Sequence, residues 1–138
     1  MSNVKIFAKG AGVQLSKNFN SNEFDCKCKR PTCKQTLIDM DHVANMQAFR
    51  DRLGKPINQT CAFRCPEHNK EVGGVSNSQH PQGYASDITV AGMSPNQVAD
   101  VAEAFFNGLG RYDTFTHVDS RKLLQKGVKA RWDFRTKK

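Results

Sequence analysis

The chain has 138 residues, 38% hydrophobic and 25% charged. That length supports one domain, read as residues 1–138 with 1–13 and 134–138 peripheral, and the composition excludes a disordered chain; no run approaches the roughly 20 apolar residues of a membrane span. Lys and Arg number 21 against 13 Asp and Glu, a net charge of +8, which suits a polyanion such as nucleic acid, an anionic lipid surface or an acidic wall polymer, or serves only solubility.

Residues 1–35 are rich in Lys, Asn, Ser and Cys and read as a loop-rich stretch with at most a short strand and turn. Ile38, Val43, Met46, Phe49 and Leu53 then recur at helical spacing. Asp39 is placed to cap that helix, over about 39–53, and Gly54 and Pro56 to stop it. Ile57 to Phe63 alternates loosely and is β-like. Pro66 suits the first turn of a short helix that Gly73 and Gly74 end. Residues 75–83 are polar and turn-rich, and 85–90 read as a buried strand. Ser94, Pro95 and Gln97 form a capping box for a helix whose stripe is Val98, Val101, Ala102 and Phe105, ended by Gly108. Phe115 to Asp119 predicts a strand and residues 130–135 a last one. Helices and strands mix without βαβ regularity, so the expected class is α+β with a small, mostly antiparallel sheet and flanking helices.

The cysteines are Cys26, Cys28, Cys33, Cys61 and Cys65. An odd count without an export signal argues against a full disulfide framework. Cys26, Cys28 and Cys33 with the distant Cys65 could close a structural zinc site of four thiolates, although the spacing is not that of a standard ribbon or finger. Reduced, partly buried thiols are the alternative.

The chemistry concentrates in SQHPQGYASD, residues 78–87. His80 lies in a loop, Asp87 in the strand that follows, and a turn at Gly83 can fold one towards the other. His117 lies in a later strand. Two imidazoles and a carboxylate suit a catalytic zinc with a fourth position left for water, whose pKa the metal lowers. If 113–119 is extended, Asp113, Phe115, His117 and Asp119 share a face. One acid is then a general base and the other holds a ligand imidazole. Structural roles for each residue, a satisfied histidine or a turn-capping aspartate, are the competing reading.

Ser78-x-His80-x-x-Gly83-x-Ala85-x-Asp87, followed by Phe115-Thr116-His117-Val118-Asp119, resembles the zinc D-Ala-D-Ala carboxypeptidase family of cell-wall peptidases, peptidase family M15. Leu15 to Phe19 with Glu23-Phe24, the turn 53–57, the segment 63–69 with 72–74, Tyr112 and Arg131-Trp132 fit in order, so the likeness covers roughly residues 14–133. It implies a fold similar to the carboxypeptidase and hedgehog type, with His80, Asp87 and His117 as zinc ligands. It also implies Arg64 as the cation near the scissile bond. Many members carry the catalytic acid three residues before the last His, where this chain has Thr114. Asp113 is the favoured base and Asp119 the other candidate. Tyr112 is either an oxyanion donor or a core tyrosine. His42 and His68 read as structural or exposed.

The expected activity is zinc-dependent hydrolysis in the peptidoglycan stem peptide or cross-link, by a monomer of the phage endolysin kind. The stretch MSNVKIFAKGAG lacks the apolar segment of a secretory signal. The chain is therefore expected to be made in the host cytoplasm and to act in the periplasm or wall after release. Its charge suits an anionic outer-membrane or wall polymer, and no nucleic acid is expected as partner. The alternatives are a non-catalytic zinc-containing binding domain of the same fold and a basic nucleic-acid-binding protein.

Overall fold

The protein is described by a computed structural model over residues 3–74, 78–122 and 125–136. Residues 75–77 of the predicted turn-rich stretch, and residues 1–2 and 137–138 of the two segments read as peripheral, lie outside the described residues.

The N-terminal region carries more regular structure than its composition suggests. β1 (Val4–Ala8) and the hairpin β2 (Gln14–Ser16) and β3 (Phe19–Asn20) precede a single 3-10 turn, Ser21–Phe24, that Asn20 and Glu23 close with a capping box. β1 pairs antiparallel with β4 (Gln35–Asp39). Ile38, counted above in a helical stripe, is therefore a strand residue. An apolar residue just before a cap satisfies either period, and Ile38 is fully buried in β4.

Asp39 ends β4 and caps α1 (Met40–Leu53), accepting from the amides of Asp41 and His42. Gly54 closes α1 in the left-handed region at φ 65°. β5 (Asn58–Cys61) and α2 (Pro66–Glu71) follow, with Pro66 in the first turn as expected. Then come β6 (Ala85–Thr89) and α3 (Pro95–Ala102), the latter opened by the predicted capping box. Gly108 does not end α3. It begins β7 (Gly108–Arg111), a strand whose glycines hid it from a reading based on side-chain pattern. β8 (Thr116–Asp119) and β9 (Ala130–Asp133) complete the chain.

The main sheet has the order β5-β6-β8-β7-β9, antiparallel except for the parallel pair of β7 and β9. Alternation gives it two unlike faces. Ile88, Val118 and Leu109 point into the core with Val43, Met46 and Phe49 of α1 and Val98 and Ala102 of α3. On that face buried His42 meets the hydroxyls of Ser120 (2.8 Å) and Ser86 (3.0 Å). The fold is α+β, as the sequence predicts. The opposite face, from which Asp87, His117 and Asp119 project, carries the chemistry.

Candidate active site

Strand register builds the site as a row. Cys61 pairs with Asp87, Asp87 with His117, His117 with Gly110, and Gly110 with Trp132. Residues far apart in sequence thus stand side by side across five strands, on backbone that hydrogen bonds hold rigid. The row borders a cleft of about 630 Å³ also lined by Arg64, Ser78, His80 and Tyr112.

His80 enters from the loop before β6. The Ala62 carbonyl accepts from its Nδ1 (2.7 Å), which turns Nε2 towards Asp87 Oδ1 at 3.3 Å. His117 approaches the same oxygen with Nδ1 at 2.9 Å, while its Nε2 donates to Asp119 Oδ2 at 2.8 Å. The two imidazole rings stand at 5.2 Å and nearly perpendicular. His80, Asp87 and His117 are only 4%, 8% and 7% exposed, so each is buried up to the edge it shows the cleft.

Two glycines make room for this arrangement. A Cβ on Gly108 would lie 2.2 Å from the Asp119 carboxylate, and one on Gly110 would lie 2.3 Å from the Trp132 indole. Their absence lets Asp119 reach under His117 and lets Trp132 lie beside it, with ring centroids 5.1 Å apart and the planes tilted by 45°. Trp132 Nε1 donates to the Tyr112 hydroxyl (2.8 Å), and Tyr112 stacks on Phe115.

Burial opposes charge on every group here, and the neighbours overrule it. Burial works against protonated His80, but Asp87 and Cys61 hold its pKa up at about 10. His117 is likewise raised against burial by Asp119 and Asp87. Both carboxyls are held below the usual range despite burial, Asp87 by the two imidazoles and Asp119 by Arg121 and His117.

The donor set fits a zinc ion. One nitrogen of each ring is occupied by a protein acceptor, Ala62 for His80 and Asp119 for His117. The other nitrogen of each converges on one carboxylate oxygen of Asp87. Two imidazoles with a carboxylate, each imidazole oriented from behind, is the pattern of a catalytic zinc centre.

The other expected residues separate. Arg64 is at the cleft: Nη1 donates to Asn69 Oδ1 (2.8 Å) and Nη2 to the Cys61 sulfur (3.3 Å), with Nη2 4.0 Å from Asp87. Asp119 is fully buried, and both its oxygens are taken. Oδ1 accepts from the amide and Nε of Arg121, and Oδ2 from Arg121 Nη2 and His117. Asp113 does not share the face of His117, because β8 begins only at Thr116 and residues 113–114 bend. Its exposed carboxylate accepts from the amide (3.0 Å) and hydroxyl (2.9 Å) of Thr136.

Two participants escaped the sequence reading. Cys61 puts a sulfur donor within 4.8 Å of those of His80 and Asp87. The His80 ring and Arg64 draw its pKa down against burial. Arg121 locks Asp119 and lies over the Trp132 ring at 5.3 Å. The position of Arg121, two residues after an acid, was the available signal. Cys61 had none, since its place follows from pairing with β6.

A search of the curated proteins returned no match. A sequence model described as Peptidase M15 matches residues 17–119. That stretch takes in Arg64, the row from Cys61 to His117, and Asp119. By that match, the chain belongs to the peptidase M15 family.

Proposed function

We propose that the protein is a zinc-dependent peptidase of bacterial peptidoglycan, of the kind phages use as endolysins. The observation that carries this is the convergence of His80 Nε2 and His117 Nδ1 on Asp87, at the edge of an open cleft. His80, Asp87 and His117 would hold the ion. Bound there, zinc supplies a Lewis acid that polarises a peptide carbonyl and acidifies water.

The chain's own residues divide the remaining work. Asp119 keeps a proton on His117 Nε2 and so presents Nδ1; with no oxygen free towards the cleft, it is a positioning residue. Arg64, steadied by Asn69 and Cys61, offers a cation to a stem-peptide carboxylate or to charge growing on the attacked carbonyl. Tyr112 accepts from Trp132 and keeps its own O–H to donate into the cleft. Asp113 is the proposed general base; its carboxylate accepts from Thr136, and that contact would have to break before it could act at the cleft. The charge of +8 supports an anionic wall or outer-membrane polymer as partner, and the proposed site of action is the periplasm or wall.

One observation favours a second reading. Among the described residues lining the cleft, Asp87 is the sole carboxylate. A site without a base is what a non-catalytic zinc-containing binding domain would show. Digestion of purified peptidoglycan, followed by mass spectrometry of the muropeptides, separates the two. The peptidase releases defined fragments, loses this on chelation and regains it with zinc. A binding domain retains wall affinity and leaves the muropeptide pattern unchanged.

A further inference from the structure

A second cluster lies outside the cleft. Cys26, Cys28 and Cys33 come from the loop that follows the 3-10 turn, and Cys65 stands at the cap of α2. Their four sulfurs all lie within 4.8 Å of one another. The Cys28 and Cys65 sulfurs are 3.8 Å apart. Four sulfurs set tetrahedrally about 2.3 Å from a zinc ion stand about 3.8 Å apart along each edge. Among the described residues, all five cysteines are free thiols.

The surroundings treat these sulfurs as acceptors. The Cys65 amide donates to the Cys26 sulfur (3.4 Å), and Lys9 Nζ approaches the Cys33 sulfur (3.6 Å) while donating to the Cys28 carbonyl (2.9 Å). Arg30 sits in the same loop, ion-paired to Glu71 of α2, with its buried Nε lacking a partner among the described residues. Four thiolates around Zn²⁺ carry a net charge of −2, and Lys9 and Arg30 are cations placed to offset it. Phe63 and Leu37 pack over the cluster and shield it, and Cys26 and Cys65 are themselves buried.

We infer that Cys26, Cys28, Cys33 and Cys65 form a closed structural zinc site that ties the loop over residues 26–33 to the start of α2. Four protein ligands leave no position for water, so the ion does no chemistry. Its consequence is positional. Cys65 follows Arg64 directly, and Ala62 in the same segment accepts from His80. Fixing Cys65 therefore fixes the backbone that sets Arg64 and His80 at the cleft.

Metal counting on the double variant His80→Ala/His117→Ala isolates this site from the cleft, so its outcome is independent of the peptidase reading. That variant is expected to retain one zinc per chain after dialysis, and the unsubstituted protein two. Cobalt in its place is expected to give the strong visible bands and the near-ultraviolet thiolate charge-transfer band of a tetrahedral sulfur site. The same variant, denatured with chelator and without reductant, should titrate as five thiols. Absence of zinc, iron in its stead, or fewer than five thiols overturns the inference. Should that variant not fold, His80→Ala alone carries the same metal and thiol count, because His80 belongs to both donor sets at the cleft, with Asp87 and His117 and with Cys61 and Asp87.

Discussion

The two clusters proposed to bind metal meet at one short segment, residues 62–65, and are built on opposite plans. The His–Asp–His cluster draws two of its three donors from paired strands, and its third edge faces a cleft. The Cys cluster takes three donors from one loop and closes on itself under Phe63 and Leu37. Rigid strands can hold an incomplete coordination shell open without its collapsing. A loop cannot hold its shape unaided, and there a complete shell supplies the order that the backbone lacks. An open site suits chemistry and a closed one suits folding.

The hardest test of that contrast is to remove one ligand from each side. His117→Ala should lower muropeptide hydrolysis by more than about 1,000-fold, over about 4 kcal/mol of barrier, with one zinc lost per chain. The unfolding midpoint of that variant should move little. An active variant would show that the row across the sheet is not the reacting centre.

The two acids beside the cleft sharpen the assignment further. Asp113→Asn should lower turnover by about 10²–10⁴-fold with zinc affinity unchanged, as loss of a general base does. Asp119→Asn should weaken zinc affinity by about 10–100-fold, with activity restored by excess metal. Competition with a chelator of known affinity, run beside the hydrolysis assay, reads both. Exchange of the two phenotypes would make Asp119 the base.

On the closed side, Cys28→Ser with Cys33→Ser should cost at least about 3 kcal/mol of stability in urea unfolding. The fraction that stays folded should hold its cleft zinc more weakly, because the segment that places His80 is no longer fixed. Unchanged cleft zinc would mean that the Cys cluster does not position His80.

The smallest effect concerns the core face beneath the row. His42 is wholly buried, and burial chiefly, with His117 and His80 adding and Asp119 opposing, lowers its pKa to about 3. The unfolded chain takes a proton on this ring below about pH 6.5 and the folded chain does not, so stability falls as pH drops from 6.5 towards 3. At pH 5 the loss is about 2 kcal/mol. His42→Gln removes that component. The stability change between pH 7 and pH 5, wild type minus variant, should show the difference in urea unfolding.

Much of this was legible in the sequence because local rules sufficed. The Asp39 cap, the Ser94 box and the left-handed Gly54 each act over a few residues, and both long helices follow from them. His80, Asp87 and His117 stood out as a set through the resemblance to peptidase family M15, since their spacing alone left structural roles open. Asp113 stayed off the expected face because the chain is not extended over 113–119: β8 begins only at Thr116, and the bend at 113–114 turns the acid towards Thr136. β7 was hidden because its glycines exist to clear space for Asp119 and Trp132, a requirement set by other strands. Cys61 owes its place to strand pairing, which no local pattern encodes, whereas the convergence of Cys26, Cys28, Cys33 and Cys65 was one of the two readings their spacing offered.

The central claim is that His80, Asp87 and His117 grip one zinc ion at the cleft. Anomalous diffraction at the zinc edge, from crystals of the zinc-loaded protein, tests it most directly. The expected result is a peak bounded by His80 Nε2, the Asp87 carboxylate and His117 Nδ1. A cleft without a peak, or a peak bound by Cys61 in place of His117, would contradict it.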